Sequence, residues 1–281
     1  MEFKTINSLS GGKTSSYIAA NYPADYNLFS LVRVEVKTCK FPDEKIRKEV
    51  EDRIQAPFIG TAEDDMIIYT MLDLEQYIGR PITWVTGKTF EGVIENHGGF
   101  LPNKTARYCT TDMKTMPIAQ WRHKNIDGNV IMRFGYRANE QGRASRMLEK
   151  TNDNGMTEVK IIVGTHSNGN NKWKTIEYCK PDFPLIESNI YKDSIELFWK
   201  DKPVRFAYMN NCIGCWWRGP MLLKHMADKH PNKMEWFAKQ EENNKGRFKS
   251  EVSYREILNY NSQIMLFDDD FNECDSGYCG L

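Results

Sequence analysis

The sequence has no apolar run approaching the ~20 residues that a membrane-spanning helix needs, which excludes a helical membrane protein. It has no net charge, because 38 Lys and Arg are matched by 38 Asp and Glu. No global field therefore draws it to nucleic acid or to an anionic membrane, although neutrality is compatible with a local basic patch. The opening MEFKTINSL lacks the apolar segment and small-residue cleavage site of a secretory signal, so a cytoplasmic location is expected. There is no internal repeat and no low-complexity linker. In the cytoplasm thiols stay reduced. The seven cysteines are therefore expected to be ligands, nucleophiles or core residues, not disulfides. What the chain does have is 281 residues, 40% of them hydrophobic and 12% aromatic. That suffices for one large domain, or for one domain with a small one appended.

The first half alternates strand-like and helix-like segments. Strands are expected at 3–9, 28–36, 82–85 and 129–136, and helices from Lys13 onward, near 43–54 and at 63–78. This alternation argues for an α/β fold with a parallel sheet covered by helices on both faces. In such sheets ligands sit at the carboxyl ends of the strands, where Ser10 and Gly135 fall. Strand-like segments at 158–164 and 173–178 flank the polar HSNGNNK, which reads as a hairpin insertion. From residue 189 the pattern turns helical, at 191–199, 220–230, 233–242 and 253–259. We therefore expect a nucleotide-binding α/β domain over 1–187. A helical C-terminal region over 188–281 would end in the acidic tail FDDDFNECDSGYCGL.

The stretch INSLSGGKTSSYIAA is a strand, a glycine turn and a helix, an order that aims unpaired backbone N–H groups at an anion. Gly12-Lys13-Thr14 supplies the end of a Walker A loop, but the first glycine of that loop would fall at Asn7, so the Walker reading is rejected. The shorter S-G-G-x-x-S pattern fits Ser10, Gly11, Gly12 and Ser15 and resembles the PP-loop of ATP pyrophosphatases and sulfonucleotide reductases, whose usual form has Asp at the position of Thr14. Two glycines let the backbone approach phosphate or sulfate oxygens, and Lys13 can add positive charge. The same residues would also make an ordinary strand-to-helix turn.

Cys212-Ile213-Gly214-Cys215 is a C-x-x-C pair, able to chelate one metal or cluster or to act as a redox dithiol. Cys109 has Arg107 before it and Lys114 after it, cations that favour thiolate. Cys274 and Cys279 lie in the tail, where a thiol gains little from burial. Cys39 and Cys179 read as small buried hydrophobes.

Five segments then occur in a recognisable order: SGGKTSS at 10–16, RYCTTDMKTMPI at 107–118, FGYRANEQGR at 134–143, FPLIES at 183–188 and NNCIGC at 210–215. Together they resemble the phosphoadenosine phosphosulfate reductase family of PP-loop proteins, in particular its divergent bacterial and phage members. The resemblance implies an adenine nucleotide alpha-hydrolase-like fold. It implies that an adenine nucleotide, whether phosphoadenosine phosphosulfate (PAPS), adenosine phosphosulfate (APS) or ATP with Mg²⁺, sits over Ser10, Gly11, Gly12, Lys13, Thr14 and Ser15. Arg137, Glu140 and Arg143 match the element that faces the nucleotide. Iron–sulfur members hold a 4Fe–4S cluster on a Cys-Cys pair and a later C-x-x-C. Here Cys109-Thr110 offers one cysteine where the family has two. Cys109, Cys212 and Cys215 therefore carry over, with Cys274 as the first expected fourth ligand of a cluster or of zinc, and a three-cysteine cluster with an open iron as the alternative. The family's tail nucleophile element is split here between Glu273-Cys274 and Cys279-Gly280-Leu281, so Cys279 is the expected nucleophile if Cys274 is a ligand, and Lys114 is the other candidate catalytic residue.

The function expected from the resemblance is sulfonucleotide reduction with a thioredoxin-like reductant as partner. The alternatives are a PP-loop ATP pyrophosphatase that adenylates a nucleobase, nucleic acid or small metabolite for thiolation or amidation, with nucleic acid only as an acceptor substrate, and a non-catalytic nucleotide-binding protein. No membrane partner is expected, and a weakly held homo-oligomer is.

Overall fold

The computed structural model describes residues 3–260. Cys274 and Cys279 lie outside the described residues. The strands are β1 (Lys4–Leu9), β2 (Tyr26–Leu31), β3 (Arg33–Val34), β4 (Gly60–Thr61), β5 (Ile82–Thr86), β6 (Val130–Arg133), β7 (Thr157–Thr165) and β8 (Asn171–Asp182). Six of them form one sheet in the order β5-β2-β1-β6-β8-β7. Every neighbouring pair in it is parallel except β7 with β8. β3 and β4 make a separate short antiparallel pair.

The two faces of this sheet follow from strand periodicity. On β2, Phe29 and Leu31 point to one face, where they share a core with Ile18, Val50, Met71 and Leu74 from the helices Lys13–Asn21, Glu44–Ile54 and Met66–Ile78. Leu28 points to the other and packs with Ile6, Met132 and the Ile118-Ala119 face of the helix Met116–Asn125. The strand–helix alternation thus yields the expected α/β architecture. The helix Glu44–Ile54 starts where Asp43 accepts from the amides of Lys45 and Ile46, at 2.9 and 3.1 Å. The helix Met66–Ile78 stops at Gly79, whose left-handed φ of 60° suits a glycine cap.

Four local outcomes differ from the sequence reading. The strand expected over 28–36 is broken into β2 and β3. The helix expected from Glu63 begins at Met66, so Glu63 is available for the site. β8 runs on to Asp182, and its end pairs in parallel with β6, with Ile131 opposite Lys180. The hairpin therefore supplies a strand of the central sheet. Helices at Phe90–Asn96 and Met116–Asn125 fall where no element was expected.

The C-terminal region is helical, with helices at Lys192–Trp199, Pro220–Lys229, Pro231–Asn243 and Tyr254–Asn259. The last three bury Leu223, Met226, Trp236, Phe237 and Tyr254 in one cluster with Val32, Val34, Phe90 and Val93. Apolar burial at roughly 25 cal/mol per Å² binds this region to the ends of β2 and β3. Among the described residues, no helix is long and apolar enough to cross a membrane.

Candidate functional site

β1 lies in the middle of the sheet and ends at Ser10, and the chain turns through Gly11 and Gly12 into the helix Lys13–Asn21. Gly11 has φ 82°, and a Cβ there would stand 2.4 Å from Ile67 Cγ2. Gly12 caps the helix without a side-chain hydrogen bond, and a Cβ there would meet Asn210 Nδ2 at 2.0 Å. Both positions therefore need the missing side chain, Gly11 for conformation and Gly12 for close approach. Ser15 Oγ ties the loop together: it accepts from Ser10 N at 3.1 Å and donates to Gly12 O at 3.1 Å. These two bonds fix the turn against the first turn of the helix.

Above this loop is a cavity that opens to solvent. Ser10, Gly12, Thr14 and Ser15 line one side, and Phe134, Gly135, Tyr136 and Arg143 another. Thr110, Lys114, Asn210 and Asn211 line a third. Gly135 fits tightly here, because a Cβ would stand 3.3 Å from Thr14 Cγ2.

Not every expected residue faces the cavity. Lys13 is not among its lining residues; its ammonium pairs with Glu196 on the helix Lys192–Trp199. The side chain leaves the first helical position outward, so the cations at the cavity are Lys114 and Arg143. Arg137 and Glu140 are buried beside it. The Glu140 carboxylate accepts from Arg137 Nε at 3.1 Å and from Arg143 Nη1 at 2.5 Å. Glu140 thus acts as a brace that aims Arg143, whose guanidinium also lies 4.2 Å from the Tyr136 ring centre.

Cys109, Cys212 and Cys215 come together across about a hundred residues of sequence. They line one cleft walled by Val32, Phe90, Met113, Trp216 and Phe237. Cys109 sits on the helical turn Tyr108–Thr110, which continues through a π-helical turn at Thr111–Thr115 into the helix Met116–Asn125. Such turns are frequent at functional sites. The C-x-x-C loop is fixed from several directions. Asn211 takes a left-handed φ of 69°, Ile213 N donates to Ala62 O at 2.8 Å, and Cys215 N donates to Cys212 O at 3.1 Å. The buried Arg218 guanidinium donates to the carbonyls of Asn210, Asn211 and Cys212. Gly214 lies against the Phe237 ring, where a Cβ would stand 2.5 Å away. None of these three cysteines is in a disulfide. Among the described residues, no three His, Cys, Asp or Glu side chains form a group placed to hold a metal ion.

The cavity and the cleft share Thr110, Lys114 and Asn211. Lys114 Nζ donates to Glu63 Oε1 at 2.8 Å. Glu63 is only 1% exposed, and its Oε2 has no hydrogen-bond partner among the described residues. Its backbone forms a β-bridge with Cys212, and its carbonyl accepts from the buried Lys233. Glu63 is the residue that sequence reasoning missed. Its charge reads as the start of a solvated helix, and its partner lies 51 positions away.

Cys39 and Cys179 are buried as expected, and burial pushes their thiols up to about 11 and about 12. A thiol protonated in the folded state but ionising near 9 when unfolded stabilises the fold fully below pH 9. That contribution is lost as pH rises toward 11 and beyond. Denaturant midpoints should therefore fall between pH 9 and 11, and Cys39→Ala with Cys179→Ala should flatten the profile. An unchanged profile in the double variant would remove these thiols as its cause. The chain matches no family model, no curated protein and no solved structure.

Proposed function

We propose that the chain is a sulfonucleotide reductase-like enzyme of the PP-loop type, working on PAPS or APS held over the Ser10 loop. The observation that carries this reading is the junction at Lys114, where the cavity over the Ser10 loop and a cleft lined by three cysteines meet. Backbone N–H groups at the helix start and the Arg143 guanidinium hold the phosphates. Lys114, aimed by Glu63, neutralises charge that develops on the sulfate and phosphate oxygens. A cysteine thiolate attacks the sulfate sulfur, and the S–O bond to phosphate breaks. The products are S-sulfocysteine and the adenosine phosphate, which leaves with the bond's electron pair. A dithiol partner then supplies two electrons. Its thiolate displaces sulfite in a mixed-disulfide sequence that restores the cysteine and leaves the partner oxidised. Cys279, outside the described residues, is the nucleophile in this reading.

A second reading rests on one observation: no cysteine is among the described residues lining the nucleotide cavity. A PP-loop ATP pyrophosphatase needs none there. It would adenylate an acceptor oxygen and release pyrophosphate, with Mg²⁺ on the ATP phosphates. Mass spectrometry after incubation with each nucleotide separates the two. A sulfite adduct on Cys279 supports the first; pyrophosphate release that survives Cys279→Ser supports the second and ends the first.

The resemblance also implies a metal on Cys109, Cys212 and Cys215 with Cys274. The described donors bring three thiols to one cleft without completing a ligand group. Anaerobically purified protein is expected to carry iron or zinc, and Cys212→Ser to lose it. Metal-free protein whose three thiols are all alkylated without denaturant would end that part of the proposal.

A further inference from the structure

The β7–β8 hairpin leaves the sheet and runs into solvent. Ile161 and Ile176 are its outermost buried residues, and residues 163–175 are all exposed. Trp173 stands cross-strand from Ile162 and is 51% exposed, an unusual position for an indole with no packing duty. In a chain without net charge, residues 159–176 hold Lys160, His166, Lys172 and Lys174 and no Asp or Glu. The three lysines make no ion pair among the described residues. The turn is ordered: His166 N donates to Asn170 O at 2.8 Å, Gly169 takes φ 83°, and Asn168 Oδ1 accepts from Asn170 N at 3.0 Å. Asn168, Asn170 and Asn171 are exposed at its end.

We propose that this ribbon is a docking arm for double-stranded nucleic acid. The asparagine-rich turn enters the major groove, and Lys160, Lys172 and Lys174 contact flanking phosphates. A two-stranded ribbon fits a groove roughly 12 Å wide, and asparagine amides pair with the N6 and N7 edge of adenine. Lysines on both strands supply the sequence-independent attraction. An anionic membrane suits the arm less well, because residues 166–171 offer no apolar side chain to insert.

The arm goes beyond the proposed catalytic function and is separate from its site. β8 runs parallel to β6, and residues 171–175 lie upstream of the Ile131–Lys180 pair, so the arm leaves the sheet at the end away from the Ser10 loop. Nucleic acid bound there anchors the protein and does not fill the nucleotide cavity.

The test uses the full chain and a fluorescein-labelled random-sequence DNA duplex, read by fluorescence anisotropy. Three phosphate contacts give about a 40-fold loss of affinity between about 50 and 200 mM salt. The triple variant Lys160→Glu, Lys172→Glu, Lys174→Glu should lose at least about tenfold in affinity and most of this salt dependence. Trp173→Ala should weaken binding further in the same assay. Nucleotide binding at the cavity, unchanged in all variants, reports that they are folded. The proposal is overturned if the wild type does not bind the duplex at low salt, or if the triple variant binds as well as the wild type. It is also overturned if the wild type prefers phosphatidylserine vesicles to the duplex. Aggregation of the triple variant with unaltered DNA affinity would mean that the lysines only guard an open strand edge.

Discussion

The double substitution Gly11→Val, Gly12→Val is expected to lower nucleotide affinity by at least about 100-fold, or about 2.7 kcal/mol, in a chain that still folds. The two positions fail for different reasons. At Gly11 a β-branched residue would have to adopt φ 82° and would collide with Ile67. Strain of this kind costs about 1–3 kcal/mol, and relief would move the turn. At Gly12 the backbone is already extended, and the obstacle is Asn210, whose amide occupies the place of the new side chain. Displacing Asn210 disturbs the opposite wall of the cavity, because Arg218 ties its carbonyl to those of Asn211 and Cys212. The sheet strand before the turn is untouched, so circular dichroism should be preserved. Calorimetric titration with ATP and with PAPS reads the affinity. A folded double variant that binds either nucleotide as the wild type does would dismiss the loop as the binding element.

Glu63→Ala should produce the second large effect. The carboxylate is buried, and it holds Lys114 at the wall shared by the two cavities. Removing one member of a buried ion pair costs about 3–5 kcal/mol; the low end applies here because Lys114 reaches a solvent-filled cavity. Urea midpoints should fall accordingly. Glu63→Gln keeps the shape and an acceptor oxygen, so it should recover most of the stability. It should still depress turnover of whichever nucleotide is the substrate, with little change in KM, since Lys114 would lose its fixed aim. If Glu63→Gln is as active as the wild type, Glu63 is only a structural support. If Glu63→Ala is also as stable, the ion pair contributes nothing measurable.

Much of the architecture could be read in the sequence because its signals are local. The apolar strand from residue 28, the charged helix near 43–54 and the helix that ends at Ile78 are each set within a few residues, the last two by the Asp43 cap and Gly79 that the fold uses. The stretch from 87 to 129 was opaque for a physical reason. Its helix Met116–Asn125 buries Pro117, Ile118, Ala119 and Arg122, a mixed set with no clean apolar stripe. The Ser10 loop was equally local and equally legible. Lys13 was legible as a cation but not in its direction, because Glu196 lies 183 positions away. The meeting of Cys109 with Cys212 and Cys215 is a property of the sheet and its crossovers; no spacing rule contains it. Glu140 reads as a ligand-facing acid in a charged loop, whereas the fold uses it to join two arginines.

The π-helical turn at Thr111–Thr115 has a consequence for chain register. An α-helix advances about 100° per residue, and a π turn accommodates one residue more than an α turn does. That extra residue sets the angle between Cys109, which faces the thiol cleft, and Lys114, which faces both cavities. Deleting one residue there, at Thr111, would let the segment relax into regular α-helix with little loss of hydrogen bonding. It would also swing everything before the deletion by about a quarter turn relative to the helix Met116–Asn125. The thiol and the ammonium would then point in unrelated directions. The phase between the two chemistries is written in the length of this segment as much as in the identity of its side chains.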